Sequence, residues 1–69
     1  MKKIDARGLA CPEPVLMVMN ELKNGEFPIC VLVSEPHQRD NVMKLAANRG
    51  LKARAQAAGS EFEIYIEKG

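Results

Sequence analysis

Two segments of this chain begin with proline and end with glycine, and these residues limit the folds that the chain can adopt. Proline suits the first turn of a helix because its missing N–H would be unpaired there, and glycine suits the position after the last turn. The first segment opens at Pro12 and closes at Gly25, and the second opens at Pro36 and closes at Gly50. We therefore predict one helix over about 12–24 and a second helix from Pro36 to Gly50.

The residues inside both segments recur at the spacing of a helix face. The first segment places Val15, Val18, Met19 and Leu22 at i, i+3, i+4 and i+7. The second aligns Val42, Leu45, Ala46 and Arg49 in one stripe, with Met43 and Ala47 beside it. Each predicted helix therefore has one face that can pack against a sheet.

The remaining segments have the patterns of β-strands. Lys2 to Asp5 reads as a short first strand, and residues 27–33 read as a central strand because they include a continuous apolar run. Apolar residues alternate with polar ones over 52–57 and again over 61–67, which predicts two half-buried strands. The link at Gly59 and Ser60 predicts a hairpin between them.

The predicted order is βαβαββ. The economical arrangement is an α/β fold of the α+β two-layer type, in which both helices cover one face of a four-stranded mixed sheet and the other face meets water. The 69 residues predict a single domain spanning 1–69, with little room for an enclosed active-site cavity. Any chemistry is therefore expected at the surface.

Charge and cysteine content exclude several classes of protein. The net charge of +1 gives no overall attraction to nucleic acid or membrane. No apolar segment has the length of a signal peptide core or a membrane span, which predicts a cytoplasmic protein. Two cysteines and one histidine provide neither a disulfide framework nor a zinc site, so we predict no metal and no cofactor.

Cys11 is the candidate reactive group. Its place just before a predicted helix puts the thiol at the N-cap or one residue earlier, where the helix dipole favours the thiolate. Pro12 and Pro14 remove two backbone donors, so the motif suits a rigid support for one sulfur better than a phosphate cradle. An inert capping cysteine remains the alternative. Cys30 lies within the apolar run and is predicted to be a small core residue.

Two further features each have two interpretations. His37, in the loop that opens the second helix, is either an exposed histidine or a proton donor or acceptor for Cys11. Residues 39–54 carry five basic side chains against one acidic one, Asp40. They form either a solvated helix face or a docking surface for an acidic partner or RNA, and the docking candidates are Arg39, Lys44 and Arg49.

Residues 4–14, with the sequence IDARGLACPEP, resemble the N-terminal signature of the TusA/SirA-like sulfur carriers. The resemblance continues through the second strand, Pro36, Gly50 and the closing hairpin. It implies a persulfide on Cys11, received from a cysteine desulfurase or rhodanese-like donor and passed to an acceptor protein or biosynthetic enzyme. The supporting motif residues that it implies are Asp5, Arg7, Gly8, Pro12, Glu13 and Pro14.

One departure from the family pattern concerns the outlet of the sulfur. Many members have aspartate where this chain has Asn41, and residues 39–42 look more like the YedF-type subfamily, which is associated with selenium metabolism in longer proteins. The resemblance implies tRNA thiolation, molybdenum-cofactor assembly or sulfur oxidation as the use of the sulfur, and this departure puts tRNA thiolation in doubt. Two other classes of function suit the same fold: an interaction or regulatory domain without chemistry, and an RNA-binding module using residues 39–54. The chain has only three aromatic residues for base stacking, which disfavours the last class.

Overall fold

The computed structural model describes residues 2–9, 13–25 and 27–68. Its elements follow the predicted order, which confirms the βαβαββ arrangement. They are β1 (Lys2–Asp5), α1 (Glu13–Asn24), β2 (Ile29–Val33), α2 (Pro36–Asn48), β3 (Lys52–Ala58) and β4 (Glu61–Glu67). None of the helices among these residues is long and apolar enough to cross a bilayer.

The four strands form one mixed sheet in the order β1-β2-β4-β3. β1 and β2 are parallel and are joined through α1, whereas β4 runs antiparallel to both β2 and β3. The hairpin predicted at Gly59 and Ser60 joins β3 to β4, with Ala58 opposite Glu61. The two central strands are β2 and β4, which explains why their apolar residues are the most deeply buried.

The core lies between the sheet and the helices. Alternate residues of the central strands are fully buried on this side, including Ile29, Val31, Ile64 and Ile66. The helices contribute buried residues from the faces predicted for them, among them Val18 and Val42. Full burial of each such aliphatic side chain contributes roughly 1.5–3 kcal/mol, so this layer supplies most of the driving force for folding. The two-layer architecture is therefore confirmed.

One strand boundary differs from the prediction, and the predicted end of α1 is confirmed. β2 begins at Ile29 and not at residue 27, because Pro28 has no N–H for the ladder and is confined to the approach to the strand. α1 begins at Glu13 and ends at Asn24, before Gly25 with its positive φ of 70°. Pro12, the predicted first helical residue, lies outside the described residues.

The predicted faces need correction on β3 and α2. Ala55 and Ala57 are exposed, because β3 is an outer strand bordered only by β4 and their small side chains leave the surface open. Arg49 is also exposed and follows the last residue of α2, so it does not belong to the buried stripe. The stripe instead continues toward the start of the helix, to Gln38.

Candidate functional site

The described residues at the start of the IDARGLACPEP motif, 4–9, lie at one edge of the sheet, where β1 ends. Because β1 and β2 are parallel, their carboxyl ends meet at that edge, and the segments that lead into α1 and α2 start there together. Glu61 lies at the same edge, since β4 begins where the hairpin ends. Residues distant in sequence thus surround the loop that leads to Cys11.

Asp5 and Arg7 form a two-pronged ion pair at the start of this loop. Arg7 Nε lies 2.8 Å from Asp5 Oδ1, and Arg7 Nη2 lies 2.8 Å from Asp5 Oδ2. The backbone N–H of Arg7 also donates to Asp5 Oδ1, at 3.2 Å, and Nη1 donates to Glu61 Oε1 at 3.2 Å. These hydrogen bonds from Arg7 lower the pKa of Asp5 to about 2. The Asp5–Arg7 pair thus connects this turn to Glu61, the first residue of β4.

Gly8 provides the sharp turn that follows. Its φ is +76°, a left-handed conformation that residues with a Cβ rarely adopt. Its N–H donates to Ser34 Oγ at 2.9 Å, while the N–H of Ala6 donates to the Leu32 carbonyl at 2.9 Å. Ala6 itself is fully buried. The loop is therefore fixed to the residues at and after the end of β2.

Gln38 makes a contact that sequence reasoning missed. Its side chain in the first turn of α2 is only 4% exposed, and its Nε2 donates a hydrogen bond to the carbonyl oxygen of Leu9. Leu9 is two residues before Cys11 in the sequence. A signal was available, because Gln38, Val42 and Ala46 are spaced four apart and share the buried face.

The last two residues of the motif form the start of α1. Glu13, the first residue of α1, is exposed, whereas the ring of Pro14 is fully buried. Pro14 therefore packs against the protein as well as removing a donor. Cys11 and Pro12 lie outside the described residues, so the predicted placement of the thiol at the helix start remains a prediction.

Two exposed apolar side chains lie close to Cys11 in the sequence. Leu9 is 37% exposed and Leu16 is 49% exposed, and these are the exposed large hydrophobic residues in the described part of the chain. In the sequence they flank Cys11, one on each side. Their exposed area is available for contact with a partner protein, although single exposed leucines are common on protein surfaces.

The three basic residues predicted for docking do not share one face of α2. They are five residues apart, and each step of five turns the side chain by about 140° around the axis. Arg39 lies over the Phe62 ring, 4.7 Å from its centroid, and pairs with Asp40 at 3.1 Å. Lys44 and Arg49 are exposed farther along, and Arg49 is about 15 Å along the axis from Arg39. The structure thus spreads these charges and does not gather them at the motif.

Cys30 is buried, as predicted, but on the side of the sheet that faces away from the helices. It is 1% exposed, and the strand register places it between Lys3 and Tyr65. Burial raises the pKa of its thiol, and the nearby charge of Glu63 raises it further. Cys30 is therefore expected to stay protonated and unreactive near neutral pH.

His37 and the potential metal ligands are the remaining candidates for a chemical role. His37 belongs to the first turn of α2 and not to the preceding loop, and it is exposed. Cys11 lies outside the described residues, so a role for His37 as a proton donor or acceptor for Cys11 stays a prediction. Within the ranges 2–9, 13–25 and 27–68, no group of three His, Cys, Asp or Glu side chains is arranged to hold a metal ion.

The fold and the anchored loop define a small two-layer protein in which residues 6–9 lead from the end of β1 toward the sequence position of Cys11. The family model described as "Sulfurtransferase TusA" matches residues 2–68, and the chain belongs to that family. The SirA-like protein from Desulfitobacterium hafniense has a similar solved structure, with a TM-score of 0.92 and 32% sequence identity. That match covers 100% of this chain and 99% of the other. No curated protein shows a significant match.

Proposed function

We propose that this member of the TusA family carries sulfur as a persulfide on Cys11 and relays it between proteins. The observation that supports this most directly is the anchoring of the segment before the cysteine. Asp5, Arg7 and Gly8 make hydrogen bonds at one sheet edge, and the carbonyl of Leu9 is held from α2. A sulfur carrier needs a fixed and accessible sulfur and does not need an enclosed pocket, and a fixed approach to Cys11 suits the first requirement.

The proposed loading step is an exchange between sulfurs. The Cys11 thiolate attacks the outer sulfur of a donor persulfide, a new S–S bond forms, and the donor cysteine leaves as a thiolate. One S–S bond forms as another breaks, so no external oxidant or reductant is required. Passing the outer sulfur to an acceptor thiolate repeats the same chemistry with Cys11 as the leaving group.

The sequence position of Cys11 and the buried setting of Cys30 support an assignment of the chemistry to Cys11. The thiolate is the nucleophile, and a cysteine near a helix start gains thiolate character from the dipole. Cys30 lacks this advantage, because burial and Glu63 both raise the pKa of its thiol. The proposal therefore assigns the chemistry to one cysteine.

The proposed partners are a cysteine desulfurase or rhodanese-like donor and an acceptor protein. Leu9 and Leu16 provide exposed apolar area on either side of Cys11 in the sequence. The spread of basic residues along α2 suits long-range attraction of an acidic donor more than direct contact. We place the relay in the cytoplasm, where thiols stay reduced. Selenium is a second cargo compatible with this chemistry, and the donor used in the assay distinguishes the two.

Intact mass spectrometry tests the proposal. The chain is incubated with a cysteine desulfurase and L-cysteine, or with a rhodanese and thiosulfate, and then digested without reduction. We expect one adduct of about 32 Da, removable by dithiothreitol, on the peptide that contains Cys11. Cys30→Ser should load like the wild type and Cys11→Ser should not load. An adduct that survives in Cys11→Ser, or no adduct from either donor, would contradict the proposal.

A further inference from the structure

Gln38 is a polar residue at a position where stability alone favours an apolar one. It is the only polar side chain that is buried among the described residues, and it shares the inward face of α2 with Val42 and Ala46. Its Oε1 is buried and has no hydrogen-bond partner in the described part of the chain. An unpaired buried acceptor destabilises a fold, and an apolar residue of the same shape avoids that penalty.

The other half of the same amide is paired. Nε2 donates to the carbonyl of Leu9, which is 29 residues away in the sequence and is the last carbonyl described before Cys11. The orientation of the amide follows from this contact, since a carbonyl oxygen accepts hydrogen bonds and only the NH₂ end of the amide can donate one. Gln38 thus ties the first turn of α2 to the chain that leads into Cys11.

The other hydrogen bonds that hold this loop involve groups other than the Leu9 carbonyl. Ser34 receives the N–H of Gly8, and Leu32 receives the N–H of Ala6. These bonds fix the loop up to Gly8, and the Leu9 carbonyl governs the direction in which the chain continues. We propose that Gln38 is a positioning residue: it sets the approach of the chain to Cys11 and thereby the direction of the transferred sulfur. This inference rests on the proposed function.

Positioning has a kinetic signature that differs from reactivity. A protein donor presents its sulfur from one direction, so misplacement of Cys11 by an ångström slows transfer strongly. Inorganic polysulfide approaches from any direction and is insensitive to such a shift. Loss of the Gln38 amide is therefore expected to separate the two loading rates.

The test compares Gln38→Met with Gln56→Met. Methionine is nearly isosteric with glutamine but cannot donate to the Leu9 carbonyl. Gln56 provides the matched control, because its Nε2 bonds to Glu63 Oε1 at 3.0 Å on the helix-free face of the sheet. For Gln38→Met we expect the maximal rate of loading by desulfurase and L-cysteine to fall about tenfold or more. The carrier concentration at half-maximal rate, the polysulfide loading rate and the unfolding midpoint should stay near those of the wild type. Gln56→Met should change none of them.

A second variant adds a pH profile. In Gln38→Glu the introduced carboxyl donates to Leu9 when protonated, whereas the carboxylate repels that carbonyl. Burial raises the pKa of such a group, so the ratio of variant to wild-type desulfurase loading should fall as pH rises, at temperatures where both are folded. A purely structural role would change the unfolding midpoint and leave this ratio flat.

The outcomes separate this inference from the proposed function. If wild-type Cys11 accepts no sulfur from either protein donor, the proposed function fails. If the wild type loads and Gln38→Met loads at the same rate, or if Gln38→Met does not fold, the positioning role is refuted and the proposed function stands. A flat pH ratio for Gln38→Glu would refute it as well.

Discussion

Replacing Gly8 with alanine tests whether the loop conformation before Cys11 matters for sulfur loading. Gly8 has a φ of +76°, and a Cβ built on it meets no described atom within 4 Å. The substitution therefore adds no steric clash with the rest of the described structure. Its effect comes from forcing an alanine into the left-handed region.

That conformation costs an ordinary residue roughly 1–2 kcal/mol relative to glycine. For a domain of 69 residues the entropy of unfolding is such that 1 kcal/mol lowers Tm by about 7 °C. Gly8→Ala should therefore lower Tm by roughly 7–14 °C unless the loop relaxes. Relaxation would lose the hydrogen bond of 2.9 Å from Gly8 N–H to Ser34 Oγ and would move the chain that leads to Cys11.

Gly59 offers a matched control in the hairpin between β3 and β4. Its φ is +66°, and the space around its added Cβ is also open among the described residues. Thermal unfolding followed by circular dichroism should show a similar loss for Gly8→Ala and Gly59→Ala. Loading by a desulfurase, followed by intact mass, should slow only for Gly8→Ala. Gly8→Asn should recover part of both properties, because asparagine tolerates the left-handed region.

Two results would refute this reasoning. If Gly8→Ala unfolds at the wild-type temperature, the conformational cost has been misjudged. If it loses stability but loads sulfur at the wild-type rate, the geometry of this turn has no part in presenting Cys11.

Three further predictions concern charge, acid stability and the apolar surface. The first involves the basic residues of α2, namely Arg39, Lys44 and Arg49. Replacing each of them singly with glutamate should slow loading by the desulfurase about two- to threefold at low salt. The difference from the wild-type rate should vanish near 1 M salt, because charges spread along a helix attract the donor at long range and salt screens that attraction. A slower rate that persists at high salt would indicate direct contact instead. Second, Arg7 lowers the pKa of Asp5 to about 2, so the stability gained from this pair is complete above about pH 4 and is lost as pH falls toward 2. Asp5→Asn should remove that part of the pH dependence in urea unfolding, and an unchanged profile would show that the exposed pair contributes nothing. Third, Leu16→Ser should change stability by less than about 0.5 kcal/mol and yet slow loading by the protein donor, since Leu16 is 49% exposed; equal loading rates would remove Leu16 from the docking surface.

Local patterns were sufficient to predict the elements of this fold. Proline and glycine marked the limits of both helices to within a residue or two, and the alternation over 61–67 identified β4 and its buried face. These signals act within one or two turns of chain, so a single sequence reveals them. The continuous apolar run of β2 was less informative, because it does not show that Cys30 faces away from the helices while Val31 faces them.

The long-range contacts of the candidate site were not predictable in the same way. Arg7 reaches Glu61 across 54 residues, and Gln38 reaches Leu9 across 29, so both depend on how the strands are ordered in the sheet. The burial of Gln38 was also hard to predict, because a glutamine in the first turn of a helix is ordinarily exposed. The motif therefore identified where the chemistry is proposed to occur, but not which distant residues hold it.

The strand order has a further consequence for a protein that is proposed to bind a donor and an acceptor in turn. β1 and β3 are the outer strands, and each leaves one row of backbone hydrogen-bonding groups unpaired within the sheet. Both carry exposed basic side chains: Lys2 and Lys3 on β1, and Lys52 and Arg54 on β3. Like charges of this kind repel the edge of a second copy and so oppose strand-to-strand aggregation. The outer strands of this chain therefore resist pairing with those of neighbouring copies at high protein concentration.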